Sequence, residues 1–187
     1  QDHELEQAVS TMQAGGTLLF PTDTIWGIGC DACNPDPVQK VYDLKQRDPS
    51  KPLVLSADSI EMVKAYVQHV HPRLETLLAH HVRPLTVVYD QAKGLAPNGI
   101  SADGSVAIRI PLEPFCRSVV AAFGKPIVAT SANISNEPFP TDYESISPAI
   151  KKGVDYILKA RKKESKFDQP SAIVKLSRRG ELIFLRE

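Results

Sequence analysis

Two short apolar segments of the chain each lead directly into a group of polar side chains. Residues 17–20 and 126–130 are too short for helices and do not alternate in polarity, which predicts strands buried on both faces of a sheet. Open α/β sheets bind their ligands at such strand ends, and hydroxyl and amide groups donate hydrogen bonds to phosphate oxygens. The polar residues are Thr22, Asp23 and Thr24 after the first segment, and Thr130, Ser131, Asn133, Ser135 and Asn136 after the second.

Two glycines follow the first polar group. Gly27 and Gly29 would allow another part of the backbone, or a ligand, to approach closely. The alternative for this stretch is a polar turn followed by a glycine hairpin, since a lone Gly-x-Gly is a weak signal.

Cations are concentrated after one predicted helix and at one strand position. Lys45, Arg47 and Lys51 lie at and beyond the end of a helix predicted over residues 36–46. They are either the basic residues that a helix C-terminus favours or a clamp for an anion. Arg109 interrupts an apolar strand, where a cation is costly unless paired, so it is either half of an ion pair or an anion ligand. Because the chain has no Walker lysine motif and no Gly-x-Gly-x-x-Gly, the residues alone predict a phosphate-binding α/β protein of another type.

The cysteines do not form a recognisable metal or disulfide pattern. The chain has 3 cysteines, and Cys30 and Cys33 have C-x-x-C spacing. A zinc site would need two further ligands, yet no second pair exists and His80 and His81 are adjacent rather than spaced as ligands. We interpret the pair as small buried residues in a protein of a reducing compartment.

Composition sets broad limits on function. Of 187 residues, 42% are hydrophobic and 24% are charged, which predicts one soluble domain over residues 1–187. Lys and Arg total 22 and equal Asp and Glu, so any anion site must be local. The longest apolar runs are too short to span a bilayer, and the amphipathic start does not resemble a signal peptide. We therefore expect a cytoplasmic protein without a membrane partner.

The elements that must position these residues alternate between helix and strand. This alternation predicts an α/β fold, and the sheet should be mixed because the last strands lack crossover helices. We predict helices over residues 3–14, 36–46, 59–67, 72–82, 114–123 and 143–152, strands over residues 17–20, 52–56, 85–89, 105–110, 126–130, 156–158, 172–176 and 182–185, and a basic turn at residues 161–166.

Six segments, in order along nearly the whole chain, resemble one known family. They are residues 21–32 (PTDTIWGIGCDA), 45–53, 84–86, 108–111, 129–135 (ATSANIS) and 170–174. The chain resembles the YrdC/Sua5 family of threonylcarbamoyl-AMP synthases in its short, single-domain form. The resemblance implies a single-domain twisted mixed sheet with helices on both faces, built around a cationic concave cavity.

The resemblance also implies an activity. Enzymes of this family combine L-threonine, bicarbonate and ATP into L-threonylcarbamoyl-AMP and release pyrophosphate. Other proteins then transfer the threonylcarbamoyl group to adenosine 37 of tRNA. The implied cofactor is Mg²⁺, carried by the ATP phosphates and not by protein side chains.

Site residues follow from the resemblance position by position. Lys45, Arg47, Ser131 and Asn133 match the catalytic residues that hold the ATP phosphates. Lys51, Thr86, Thr130 and Ser135 match further nucleotide-binding positions. Thr22, Thr24, Arg109 and Ser171 match positions around the threonine.

Four positions depart from the family pattern. Arg83 replaces a glycine, which changes the loop before Leu85 and adds a cation. Trp26 stands where Tyr is common, and Ala172 stands where a hydroxyl is frequent. Asn136 replaces a glycine, and we expect the turn to survive because Asn tolerates left-handed backbone.

Three other functions remain open at this stage. The first is a module that binds double-stranded RNA or tRNA through a basic patch of Lys45, Arg47, Lys51, Arg83 and Arg109. The second is carbamoyl adenylation, as in related domains of hydrogenase-maturation proteins. The third is a paralogue with altered specificity, for which Arg83 is the main reason.

Overall fold

A nine-stranded mixed sheet organises the described part of the chain. The computed structural model describes residues 2–22, 25–158, 171–177 and 179–186. The strand order is β7-β1-β2-β6-β3-β5-β4-β8-β9. The predicted α/β fold with a mixed sheet is thereby confirmed. No described helix has both the length and the apolar character needed to cross a membrane.

The helices and strands have the following bounds. The helices are α1 (Asp2–Gln13), α2 (Pro35–Lys45), α3 (Ile60–Tyr66), α4 (Pro72–His80), a 3₁₀ turn (Pro97–Gly99), α5 (Pro114–Phe123) and α6 (Pro148–Gly153). The strands are β1 (Leu18–Phe20), β2 (Gly27–Asp31), β3 (Val54–Ser56), β4 (Leu85–Tyr89), β5 (Val106–Arg109), β6 (Ile127–Ser131), β7 (Tyr156–Ile157), β8 (Ala172–Leu176) and β9 (Leu182–Arg186).

Two of the sequence-based predictions were wrong in detail. The segment 27–31 is strand β2, whereas we predicted only glycines that follow a strand end. The helix predicted over residues 143–152 begins only at Pro148, because residues 141–147 form bends and turns. The basic turn predicted at residues 161–166 lies outside the described residues.

Adjacent residues of β1 contribute to cores on opposite faces of the sheet. Leu18 and Phe20 belong to a cluster with residues of α1 and α5. Leu19 belongs to the larger cluster, which includes residues of α2, α3 and α4. Side chains alternate across a strand, so a strand apolar throughout requires a helix layer on each side. This arrangement confirms the prediction of helices on both faces.

Local sequence signals fix both ends of α2, the helix that leads into the cationic segment. The side chain of Asn34 accepts a hydrogen bond from the Asp36 backbone N–H, and Pro35 occupies the first turn. Gln46 ends the helix in the left-handed conformation with φ 50°. The Arg47 N–H then donates to the Tyr42 carbonyl at 3.0 Å, so the chain turns sharply after Lys45.

Strand β2 passes between β1 and β6 with little room for side chains. It is antiparallel to both neighbours, with Gly29 opposite Leu18 on one side and Ala129 on the other. A Cβ atom at position 29 would lie 2.7 Å from Cε1 of Phe20 and 3.1 Å from the Val128 carbonyl oxygen. The glycines that weakened the strand prediction are therefore the residues that this packing requires.

Replacing Gly29 with alanine should destabilise the fold. The added methyl group would press on the buried Phe20 ring and a backbone oxygen, so we expect a loss of ~1–3 kcal/mol in the free energy of unfolding. Urea denaturation of Gly29→Ala checks the value. Combining it with Phe20→Leu removes the ring, so the double variant should lose less than the sum of the single losses. Strict additivity would contradict the contact as the cause.

Candidate functional site

A cavity of about 360 Å³ lies where the ends of several elements meet. Its lining includes residues that follow β1, α2 and β6, residues at the end of β5, and the residue before β8. Of the predicted site residues, Thr22, Lys45, Arg47, Arg109, Thr130, Ser131, Asn133, Ser135 and Ser171 line this cavity.

Pairing of β2 with β6 brings the two polar segments together. Gly27 is the partner of Ser131 in the sheet, and the Ala132 N–H donates to the Trp26 carbonyl at 2.9 Å. The residues that follow β1 and those that follow β6 therefore reach the same edge of the sheet. Sequence separation hides this proximity, since about 100 residues lie between the two segments.

Lys45 is the most deeply buried cation of the cavity. The residue is only 1% exposed, and its ammonium group is surrounded by oxygens from two residues. Nζ donates to the Ser131 carbonyl at 2.5 Å, to the Asn133 carbonyl at 2.9 Å and to Asn133 Oδ1 at 2.9 Å, with Ser131 Oγ at 3.3 Å. All four oxygens belong to uncharged groups. The Lys45 ammonium group thus lies inside the protein and does not extend to water.

The environment of Lys45 disfavours its charged form. Burial, with a smaller contribution from the neighbouring Arg47 guanidinium, lowers its pKa from 10.5 to about 7. A cation held by neutral oxygens lacks the counter-charge that normally compensates its lost hydration. An anion bound in the cavity would supply that charge.

Further hydrogen bonds tie this cluster to the surrounding backbone. Ser131 Oγ donates to Asn133 Oδ1, and the amide nitrogen of Asn133 donates to the Glu137 carbonyl at 2.7 Å. The Ser135 N–H donates to the Lys45 carbonyl at 2.8 Å, which joins the loop after β6 to the end of α2. Ser135 Oγ is buried without a hydrogen-bond partner among the described residues.

Arg47 and Arg109 supply two more cations to the cavity. Arg47 Nη2 donates to the Pro52 carbonyl at 2.7 Å, which orients the guanidinium plane beside Lys45. Arg109 is 5% exposed and ends β5. Its partner across the sheet is Thr86, whose hydroxyl is hydrogen-bonded to that of Ser171. The hydroxyl pair and Arg109 thus form a second polar region, two to four strands away from β6 in the sheet.

Not every predicted residue reaches the described lining. Lys51 is exposed and contributes its backbone carbonyl to Tyr42 and Arg47. Thr86 is fully buried behind Ser171. Arg83 is exposed and does not line the cavity, so the five-cation patch considered from sequence is reduced to three members there. Thr24 and Asp23 lie outside the described residues.

Several lining residues were missed by sequence reasoning. Glu137 and Phe139 follow the second polar segment, and both line the cavity. Nothing in the sequence indicated that residues this far beyond β6 would do so. Trp26, which the family resemblance had already singled out, forms part of the wall, and its ring packs edge-on against Tyr143 at 5.3 Å between centroids. Lys151 in turn lies 4.2 Å above the Tyr143 ring, which braces this wall from α6.

The prediction that the C-x-x-C cysteines are buried is confirmed for Cys30 and only in part for Cys33. Cys30 and Cys33 are free thiols, with Cys30 fully buried and Cys33 partly so. Burial raises the pKa of both thiols, which keeps them protonated and weakly nucleophilic. Among the described residues, no group of three or more His, Cys, Asp or Glu side chains could hold a metal ion.

Comparison with known proteins connects the whole chain to one group. The Sua5/YciO/YrdC family model, described as "Telomere recombination", matches residues 10–187. A Threonylcarbamoyl-AMP synthase of Vibrio parahaemolyticus is 34% identical over 172 residues, which is 90% of this chain and 91% of that protein. A protein of the same name from Hahella chejuensis is 34% identical over 171 residues, which is 90% of this chain and 91% of that protein.

One solved structure shares the fold over the full length. It is P. abyssi Sua5 complexed with L-threonine, which has a TM-score of 0.91 and 23% identity. The match covers 100% of this chain and 54% of that chain, so this chain spans about half the length of that protein. At this identity the likeness establishes the fold alone.

The buried Lys45 predicts a pH-dependent stability. Its pKa of about 7 in the fold lies below the 10.5 of an unburied lysine, so between these values the unfolded chain binds more protons. The free energy of unfolding should therefore rise with pH across this window. Relative to Lys45→Met, the wild type should gain roughly 2–3 kcal/mol between pH 7.5 and 9.5 in urea denaturation. Lys93→Met, at an exposed lysine, is the control and should show the same pH dependence as the wild type. If the free energy of unfolding of Lys45→Met rose with pH as steeply as that of the wild type, Lys45 would not be a buried cation without a counter-charge.

Proposed function

The chain belongs to the Sua5/YciO/YrdC family, and from that premise we propose that it is an L-threonylcarbamoyl-AMP synthase. It uses ATP and L-threonine, takes up bicarbonate, and releases pyrophosphate. The product supports threonylcarbamoylation of adenosine 37 in tRNA, and the chain acts as one domain over residues 1–187. The names of the relatives that span nine-tenths of the chain support this assignment.

The observation that carries the proposal is the buried Lys45 cluster. Lys45, Ser131 and Asn133 lie together in a cavity that also contains Arg47. A lysine with a lowered pKa and neutral oxygen partners gains its missing counter-charge when a phosphate binds. These four residues bind the ATP phosphates, and Thr130 and Ser135, which also line the cavity, complete the nucleotide environment.

L-Threonine binds at the second polar region of the cavity. Arg109 offers a planar pair of N–H donors, which suits the amino acid's carboxylate. Thr22, Thr24 and Ser171 add hydroxyl groups around the same substrate. Thr22 Oγ1 donates a hydrogen bond to the Ile25 carbonyl at 2.6 Å, which orients the first of these hydroxyls.

The reaction needs charge stabilisation rather than a covalent enzyme nucleophile. The threonine amine and bicarbonate form a carbamate with loss of water. A carbamate oxygen then attacks the α-phosphorus of ATP while the bond from that phosphorus to the departing pyrophosphate breaks, and negative charge builds on the phosphoryl oxygens in the transition state. Lys45 and Arg47, held in fixed positions by the contacts above, stabilise that charge, and the Ser131 hydroxyl and Asn133 amide orient the clamp.

Mg²⁺ fits the chemistry of the cavity. Hydroxyl, carbonyl and carboxylate oxygens are present in the lining, and these are the donors that Mg²⁺ prefers. The cation supplies charge neutralisation on the departing pyrophosphate. Ser131 and Asn133, which line the cavity, would lie nearest the phosphates that carry it.

The product must be consumed by a second protein. A mixed anhydride of a carbamate and AMP is a reactive acyl donor, so the downstream partners are proteins that transfer the threonylcarbamoyl group to tRNA. Binding of tRNA by this chain is not required for the adenylation step itself.

The proposed activity predicts threonine-dependent release of pyrophosphate. We expect purified protein with ATP, Mg²⁺ and bicarbonate to release pyrophosphate only when L-threonine is added. Lys45→Ala should lower kcat by ~10²–10³, because it removes the central cation of the phosphate clamp. Coupled detection of pyrophosphate measures both effects. Exposed Lys93→Ala is the matched control and should keep wild-type activity.

The same assay distinguishes the other functions. Pyrophosphate release that is indifferent to threonine, or that requires carbamoyl phosphate instead, would replace the synthase assignment by a different adenylation. Absence of release combined with RNA affinity that persists at physiological salt would favour the RNA-binding function.

The position of Arg109 predicts that its replacement affects binding of L-threonine more than binding of ATP. Arg109→Gln should raise KM for L-threonine roughly 10- to 100-fold, since it removes a charged hydrogen-bond donor to the carboxylate. ATP affinity, measured by calorimetry, should change less than about threefold because β3 separates β5 from β6. Equal loss of both affinities would assign Arg109 to the phosphate site.

A further inference from the structure

The cavity contains one carboxylate among its described lining residues. Lys45, Arg47 and Arg109 are its cations, and Glu137 is the acidic residue beside them. Glu137 is an exposed residue on the rim, and no ion pair involves it within the described ranges. A carboxylate in a phosphate site would repel the triphosphate, so its presence requires a physical reason.

The backbone holds Glu137 next to the phosphate clamp. Its N–H donates to the Ile134 carbonyl at 3.0 Å, and its own carbonyl accepts from Asn133 Nδ2 at 2.7 Å. Asn136, with φ 72°, adopts the left-handed conformation that this turn needs. Glu137 is therefore fixed to the same Asn133 side chain whose Oδ1 accepts from Lys45.

A second oxygen in this loop lacks a protein partner. Ser135 Oγ is buried, has no hydrogen-bond partner among the described residues, and belongs to a residue that lines the cavity. Buried hydroxyl groups are normally paired, so this oxygen indicates a ligand or an ordered water. Glu137 and Ser135 thus place two side-chain oxygens that could contact a ligand on the turn that adjoins Lys45.

Glu137 lies closer in the fold to the residues proposed to bind phosphate than to those proposed to bind threonine. Glu137 follows β6, whereas Arg109 ends β5 and Ser171 precedes β8. Strand β3 lies between β6 and β5, so the backbones of these two strands are about 10 Å apart. The threonine amino group is accordingly a less suitable partner for this carboxylate than a cation on the triphosphate.

We propose that Glu137 binds the divalent cation of MgATP, through a water of its hydration shell, and thereby selects the metal complex over free ATP. This inference rests on the proposed function, because it presumes that the cavity binds ATP. Mg²⁺ retains several waters when it binds to phosphates, and a carboxylate commonly accepts hydrogen bonds from them. Without Mg²⁺, the same carboxylate opposes the triphosphate charge.

Binding of ATP with and without Mg²⁺ tests the proposal. The probes are ATP with EDTA and ATP with excess MgCl₂, titrated onto the full chain by calorimetry at constant ionic strength. Glu137→Gln should bind metal-free ATP on the order of tenfold more tightly than wild type, because a repulsive charge is removed. Its preference for MgATP over free ATP should fall by the same order. Glu144→Gln, an exposed acid outside the lining, is the matched control and should keep the wild-type preference.

Outcomes of these titrations separate the two proposals. If wild type binds neither form of ATP, the proposed function itself fails. If ATP binds but Glu137→Gln retains the wild-type preference for MgATP, the role of Glu137 is overturned while the synthase assignment stands. If Glu137→Gln instead raises KM for L-threonine with no change in the preference for MgATP, the carboxylate serves the amino group. Glu137→Asp should recover most of the metal preference, since it restores the charge.

Discussion

The burial of the Lys45 ammonium group without a carboxylate partner is the interaction on which the site depends. A buried cation is tolerated only where hydrogen-bond acceptors replace its hydration. Here the acceptors are oxygens of Ser131 and Asn133. These residues belong to the end of β6 and the loop after it, whereas Lys45 is the last residue of α2. The cluster therefore requires that helix and that strand to end at the same place.

The order of the strands satisfies this requirement. Strand β6 pairs with β2 and with β3, so it lies near the centre of the sheet, and α2 follows β2 directly in the chain. The hydrogen bond from the Ser135 N–H to the Lys45 carbonyl closes the arrangement. Gly27 and Gly29 allow β2 to pass close to Phe20 and to the backbone of β6. The close packing of β2 against β6 thus also positions the cluster of Lys45, Ser131 and Asn133.

Sequence reasoning succeeded where one local pattern carried the information. The unbroken apolar character of residues 17–20 predicted a strand buried on both faces, and all three residues of β1 are buried. Sequence reasoning failed at β2, because glycine disfavours strand structure. Only the tight packing against Phe20 explains why glycines occur in this strand. Glu137 was missed for a similar reason, since a single acid in a polar loop has no local signal. Its proximity to Lys45 follows from a hydrogen bond with Asn133, which is a tertiary feature.

The hydrogen bonds of Lys45 in the empty cavity also determine which contacts a bound phosphate must replace. Ser131 Oγ and Nζ of Lys45 both donate to Asn133 Oδ1, so the clamp residues satisfy one another before any phosphate arrives. A phosphate that contacts Lys45 must displace at least one of these oxygens, because an ammonium group has three donors and is already bonded to three close oxygens. The displaced groups are neutral, whereas the phosphate is charged, so the exchange favours the anion. Neutral partners thus hold the lysine in position without competing with the substrate for its charge. A carboxylate in their place would stabilise the empty protein and weaken the site, which explains why the structure keeps its carboxylate, Glu137, on the rim.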